Sequence, residues 1–178
     1  MKFKILKFKK VKSTNNTAIR IIRKTDCNLG MIVAETQSNG KGQYGRKWIS
    51  YKGNLFVSFF NELNKKNLSI NNITNINCHL VKELLSKFTH KKISFKKPND
   101  LLIEKKKISG ILQEVVLIKN KNFLITGIGI NIVKNPIIRN YPATNLKEIT
   151  TKNISKSLVE KKLKKIFEKN LSKLYRKK

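Results

Sequence analysis

The stretch Leu101-Leu102-Ile103-Glu104-Lys105-Lys106-Lys107-Ile108-Ser109-Gly110-Ile111-Leu112, continuing to Leu117, decides the fold. Two apolar, β-favouring runs flank a charged turn, Glu104-Lys105-Lys106, and this pattern predicts a hairpin. Upstream, Ile93-Ser94-Phe95 alternates into Pro98-Asn99-Asp100, a turn that proline and Asx residues favour. Downstream, Phe123 to Asn131 reads as a strand interrupted by Gly127 and Gly129. Towards the N-terminus, strands are expected around Phe3, Ile5 and Phe8, at Met31-Ile32-Val33-Ala34, and from Leu55 to Phe60.

Three segments carry the helical period instead. Ser13-Thr14-Asn15 offers N-cap side chains for a helix through about Lys24, with Ala18, Ile21 and Ile22 on one face. Ile73, Ile76, Leu80, Val81, Leu84, Leu85 and Phe88 follow the i, i+3, i+4, i+7 pattern. A last helix is expected from about Ser155 to Tyr175, turning Val159, Leu163, Ile166, Phe167, Leu171 and Leu174 inward. Helices at both ends and in the middle, among many strands, predict an α+β fold in which a mixed β-sheet packs against helices.

Composition narrows the class. A chain of 178 residues suits one domain, and 39% hydrophobic residues supply a core. No apolar run approaches the ~20 residues that span a bilayer, and no signal peptide opens the chain, so no membrane partner is expected. Two cysteines exclude a disulfide framework and point to reduced thiols and a cytoplasmic setting. Two histidines, His79 and His90, argue against a histidine metal site. The formal charge is +30, from 40 Lys+Arg against 10 Asp+Glu. Arginine occurs only at positions 20, 23, 46, 139 and 176, whereas Lys, Asn and Ile, which share A/T-rich codons, are all abundant. Codon bias therefore competes with a nucleic-acid surface as the explanation, and no specific DNA partner is expected, because diffuse lysines read phosphates rather than bases.

Four segments have the residue types of a site. Gly40-Lys41-Gly42-Gln43-Tyr44-Gly45-Arg46-Lys47-Trp48 follows a strand and pairs glycines, which admit a phosphate to the backbone, with Lys41 and Arg46. The same glycines would also serve a plain hairpin. Asp100 and Lys107 lie seven residues apart across the predicted hairpin, so both can face one cleft, where a carboxylate beside a lysine suits Mg²⁺-nucleotide chemistry; the same residues would also serve an ordinary β-turn flanked by solvated lysines. Gly127-Ile128-Gly129-Ile130-Asn131 thins a strand, either for a ligand or for close packing. Ser13-Thr14-Asn15 serves as a helix cap, a ligand contact or both.

In this order, with Ala143-Thr144-Asn145-Leu146 before the last helix, these segments resemble the catalytic domain of biotin protein ligases, from about residue 10 to 175. That resemblance implies the class II synthetase-like fold of biotin and lipoate ligases. A single catalytic domain is expected over 1–178, and the chain is expected to depart from those members that carry an N-terminal winged helix or a C-terminal small β-barrel. The implied reaction joins biotin and ATP, with Mg²⁺, as biotinyl-5′-AMP and then biotinylates a lysine of the biotin carboxyl carrier protein of acetyl-CoA carboxylase. The enzyme would act as a monomer or homodimer. By match to the motifs, Lys107, Asp100 and Arg46 are catalytic. Ser13, Thr14, Asn15, Gln37, Lys41, Gly42, Gln43, Lys107 and Gly110 hold biotin. Gly40, Arg46, Trp48, Asn99, Asp100 and Asn131 hold ATP, and Asp100 binds the Mg²⁺ and accepts the acceptor lysine's proton. Lys41 and Gln43 stand where the family has Arg, and Lys97 where it has Trp. A lipoate–protein ligase shares the fold and chemistry, but its Arg-Arg-x-Ser-Gly-Gly-Gly stretch is missing. A basic nucleic-acid-binding protein is the non-enzymatic alternative.

Overall fold

The computed structural model describes residues 2–63 and 69–175, with side chains up to residue 170. Nine strands and four helices follow in the order β1 (Lys4–Val11), α1 (Thr14–Lys24), β2 (Leu29–Gln37), β3 (Gly40–Lys41), β4 (Lys47–Trp48), β5 (Leu55–Glu62), α2 (Ile70–Leu85), β6 (Ile93–Lys96), β7 (Asp100–Ile103), β8 (Lys106–Ile118), β9 (Lys121–Ile130), α3 (Leu146–Ile149) and α4 (Lys156–Tyr175). Seven strands form one sheet in the order β1-β2-β5-β9-β8-β7-β6, and β3-β4 is a separate two-stranded ribbon. The β1-β2 pair is parallel and the other pairings are antiparallel, so the sheet is mixed as expected.

The sheet is covered unequally on its two faces. On one face α2 and α4 pack a large core that includes Phe59, Val81, Leu84, Leu101, Ile108, Ile128, Leu163 and Phe167. On the other, α1 buries Ala18 and Ile22 against Ile32, Phe60, Phe123 and Ile125. Each such aliphatic or aromatic side chain contributes ~1.5–3 kcal/mol on burial. Because α1 has only 11 residues, it covers just part of its face. The rest, beyond its N-terminus, is roofed by the ribbon and by the segment between β9 and α3, and the site lies there.

The hairpins follow the sequence closely. Glu104-Lys105 and Lys119-Asn120 both hold left-handed backbone, the geometry of two-residue turns that match sheet twist. Elsewhere the boundaries move. β1 is longer than the Phe3–Phe8 pattern suggests, with Leu6 and Phe8 packing towards α1 and Ile5 exposed. α2 ends at Leu85, and Phe88 reaches the core from the turn that follows. α3 carries no periodic signal, since it has four residues capped by Asn145. In α4, Val159, Leu163, Ile166 and Phe167 are buried as expected, and Leu171 and Leu174 lie outside the described side chains. Among the described residues no helix is long and apolar enough to cross a membrane.

Candidate functional site

Two rows of the sheet form the floor of the site, and glycines make them low. In the first row Ser58 pairs with Gly127, which pairs with Leu112. Asn15, at the start of α1, lies on Gly127 so closely that a β-carbon there would overlap its side chain. Its Oδ1 accepts a hydrogen bond from the Ser58 hydroxyl (2.5 Å), while its Nδ2 donates to Leu112 O (3.4 Å) and to Glu114 Oε2 (2.7 Å). In the second row Phe56, Gly129, Gly110 and Asp100 are successive partners across β5, β9, β8 and β7. Trp48 lies flat over Gly129 and Gly110, where β-carbons would collide with its ring. The glycines of Gly127-Ile128-Gly129 thus admit two site side chains.

A β-bulge between Leu101 and Leu102 brings in the lysine. Leu101 pairs with Ser109 but Leu102 pairs with Lys107, so β8 gains one residue and its alternation shifts. Ile108 enters the core, and Lys107 emerges on the Asp100 side. The Lys107 ammonium lies 2.8 Å from Asp100 Oδ1. This is an ionic contact whose angles fall short of a hydrogen bond, so Oδ1 has a charge partner but no aligned donor among the described residues. The same ammonium sits 5.1 Å from the Trp48 ring centre and 5.4 Å from that of Tyr141. Tyr141 donates a short hydrogen bond to Asp100 Oδ2. Burial, and then this donation to Asp100, push the Tyr141 phenol well above its usual range, so it remains protonated.

At the other end the α1 terminus is tied to β2. Gln37 Oε1 accepts from the Thr14 N–H (2.8 Å) and hydroxyl (3.1 Å), and Gln37 Nε2 donates to Ser50 Oγ (3.1 Å). Ser13 caps the helix by accepting from Asn16 N (3.5 Å). The ribbon β3-β4 arches over this end and closes in a single 3-10 turn at Gln43–Gly45, with Tyr44 left-handed and 86% exposed. Lys41 of the ribbon reaches Glu114 Oε1 at 3.5 Å, linking roof to floor.

The enclosed space is about 750 Å³, within the range of small-molecule and cofactor sites. Of the residues expected from the sequence, it gathers Ser13, Thr14, Asn15, Gln37, Lys41, Gly42, Gln43, Arg46, Trp48, Asn99, Asp100, Lys107 and Gly110. Two expectations need correction. Gly40 is buried against Trp48 O and Gln37 Nε2 and serves the close approach of the ribbon, not the cavity wall. Asn131 is buried too, and its amide donates to Lys107 O (3.4 Å) and Thr144 O (3.1 Å), pinning the segment that carries Tyr141. Sequence reading missed Tyr141, Arg139 and Ile138, which form the remaining wall from an irregular loop with no period to betray it. It also missed Glu114, which only the strand register places beneath Lys41. Two buried polar atoms of lining residues, Trp48 Nε1 and Gln43 Oε1, have no protein partner among the described residues. Such groups cost ~1–3 kcal/mol each unless a ligand or water satisfies them.

The donors do not fit a resident Mg²⁺ on Asp100. Both of its oxygens are engaged, by Lys107 and Tyr141, and no group of three His, Cys, Asp or Glu side chains able to hold a metal occurs among the described residues. Mg²⁺ usually keeps several waters and is held by one or two carboxylates together with substrate phosphates, so an ion here would arrive with the nucleotide rather than reside on Asp100 alone.

The model of the Biotin/lipoate A/B protein ligase family matches residues 7–131. The bifunctional ligase/repressor BirA of Bacillus subtilis is 29% identical over 151 residues, 84% of this chain and 45% of its own length. The Escherichia coli BirA is 34% identical over 84 residues, 47% of this chain and 26% of its own. The chain thus spans about a quarter to a half of these curated relatives. Among solved structures, the biotin protein ligase of Aquifex aeolicus in complex with biotin and ATP superposes with a TM-score of 0.78 at 35% identity, covering 96% of this chain and 71% of that one. The Leishmania major biotin protein ligase in complex with biotinyl-5-AMP gives a TM-score of 0.77 at 26% identity, covering 97% and 76%. A bipartite lipoate protein ligase of Thermoplasma acidophilum, 11% identical with a TM-score of 0.65, shares the fold alone. The chain belongs to the biotin/lipoate A/B protein ligase family, and within it is similar to the catalytic domain of biotin protein ligases.

Proposed function

We propose that this domain activates biotin with ATP as biotinyl-5′-AMP and passes the biotinyl group to a lysine of a biotin carboxyl carrier protein. The observation that carries this reading is the position of Lys107. Its ammonium stands on the cavity floor between the α1 end and the Tyr141 wall, held by Asp100 and faced by two aromatic rings.

In the first step a biotin carboxylate oxygen attacks the α-phosphorus of ATP, and the bond to pyrophosphate breaks. Two anions must approach each other, and Lys107, with Arg46 and Lys41 from the ribbon, offsets the charge that gathers at the reacting centre. Ser13, Thr14, Asn15, Gln37, Gly42, Gln43 and Gly110 form the biotin end, while Trp48 and Asn99 form the nucleotide end. In the second step the acceptor amine attacks the acyl carbon, AMP leaves, and the amine's proton is released. Asp100 is assigned to orienting Lys107, since both its oxygens are engaged, and no proton transfer to it is invoked. Magnesium belongs to this scheme as the counter-ion of the nucleotide substrate. Free thiols at Cys27 and Cys78 and the use of ATP fit a cytoplasmic setting.

Pyrophosphate exchange into ATP tests the first step. Biotin should drive exchange and lipoate should not. Exchange driven by lipoate alone would move the domain to lipoate ligation, and exchange with neither would contradict acyl-adenylate chemistry.

A further inference from the structure

Main-chain bonds hold Tyr141 beside the Lys107–Asp100 pair. The Lys107 N–H donates to Pro142 O (2.8 Å), and the Lys107 carbonyl accepts from Thr144 N (2.9 Å). Ala143 thereby bridges Lys107 in parallel, so the residues after Tyr141 lie along β8 where β9 has ended. Asn131 ties the same stretch down through Lys107 O and Thr144 O. On the other side, the Tyr141 N–H donates to Ile138 O (3.1 Å). The ring meets two ammonium groups, Lys96 at 4.2 Å and Lys107 at 5.4 Å from its centre. None of these contacts uses the hydroxyl, which donates to Asp100 Oδ2.

Asp100 is 8% exposed, and among the described residues its carboxylate has one partner for each oxygen: Lys107, a cation, and Tyr141, a neutral donor. The cation has a second task. In the ligase reaction Lys107 turns its charge to the biotin carboxylate and the phosphate, which draws it away from Asp100. A buried carboxylate stripped of its counter-charge is costly, and that cost holds the lysine back. A donor that stays behind lowers it, because a hydrogen bond to an ionised oxygen is about twice as strong as one between neutral groups. A second cation in this place would also hold the carboxylate, but it would repel the Lys107 ammonium. A phenol that keeps its proton does the first without the second.

We propose that Tyr141 is a positioning residue whose hydroxyl holds the Asp100 carboxylate while Lys107 turns to the reacting anions. The inference rests on the ligase reading and adds to it how the lysine is released from its partner.

Urea titrations of the full chain test this hold without any substrate. Lys107→Met keeps the apolar stem and removes the charge, a stand-in for the lysine that has turned away. In that background Tyr141→Phe should lower the folding equilibrium constant by about tenfold more than it does in the parent. In Lys107→Met/Asp100→Asn the excess should vanish, because no charge is left to hold. Every Phe variant keeps the ring and its packing, so a purely structural role would give equal losses in all three backgrounds and would overturn the proposal. Exchange kinetics give a second readout: Tyr141→Phe should lower kcat by about tenfold or more, while the KM values for biotin and ATP stay within about twofold. An unchanged kcat, or a rise in KM alone, would equally overturn it. A parent chain without biotin-driven exchange would instead sink the ligase reading, and the stability comparison would still decide whether Tyr141 holds the carboxylate.

Discussion

Lys107 and Asp100 face each other at 2.8 Å because a bulge between Leu101 and Leu102 shifts the register of β8 by one residue. Without that bulge, strict alternation from Gly110 would point the lysine into the core and Ile108 into the cavity. The pair is largely buried, with side-chain exposures of 20% for Lys107 and 10% for Asp100. Its two members therefore depend on each other for stability as well as for chemistry.

Lys107→Ala should lower the rate of adenylate formation by ~3 kcal/mol in transition-state stabilisation, more than a hundredfold. It should also destabilise the fold, because removing one partner leaves a buried carboxylate uncompensated, with an upper range of ~3–5 kcal/mol for a fully buried pair. Lys107→Ala/Asp100→Asn separates the two effects. Thermal melts should show stability recovering in the double variant while exchange activity stays lost.

Gly129→Ala places a methyl group into the Trp48 ring, and β4 must lift to accommodate it. The expected result is a rise in the KM for ATP of about tenfold or more, the loss of ~1.4 kcal/mol of binding. Gly127→Ala displaces Asn15 instead and should raise the KM for biotin. Steady-state exchange kinetics on the two variants read the split, and equal effects on both substrates would contradict the division of the floor.

Gln43 lines the cavity with its side-chain oxygen buried and, among the described residues, unpartnered, where the resembling family has Arg. Gln43→Arg replaces a neutral group with a charge-assisted donor, roughly twice as strong towards an anionic ligand. Biotinyl-AMP should then leave more slowly after rapid dilution, with less biotinylation of bystander lysines. Equal off-rates would mean that the ribbon closes independently of this side chain.

Cys78 provides a pH signature. Burial, and then the charge of Asp100, push its thiol up to about 11 from 9.0. The folded chain holds this proton more tightly than the unfolded one, so the contribution is complete below about pH 9 and is lost as pH rises towards 11. Cys78→Ala should flatten the decline of stability across that window, as followed by urea titrations at each pH. An unchanged slope would mean that the thiol titrates as it does in the unfolded chain.

How much of this was legible in the sequence varies by element. The Asp100–Lys107 hairpin, the glycine-thinned strand and the α1 cap are local patterns, in which turn chemistry and alternation carry the structure. Their long-range consequences were not legible. Nothing in Gly127 or Gly129 says that Asn15 and Trp48 fill the space above them, because those contacts depend on which strands become neighbours. Tyr141 lies in a segment ordered by Asn54, Asn131 and Asn135, whose side chains bond its backbone at both ends. Such asparagines look like loop residues in a chain already rich in them. Asn131 itself reads as a ligand contact from its place at a strand end, and only its bonds to Lys107 O and Thr144 O reveal a structural role.

The most direct measurement is intact-mass analysis of a biotin carboxyl carrier domain incubated with this chain, biotin and ATP, with the Lys107→Ala/Asp100→Asn protein as control. One biotinyl group should appear on the carrier's acceptor lysine, at a rate that depends on Lys107. A carrier that stays unmodified by the folded, ATP-binding chain, or is modified equally by the control, would contradict the assignment.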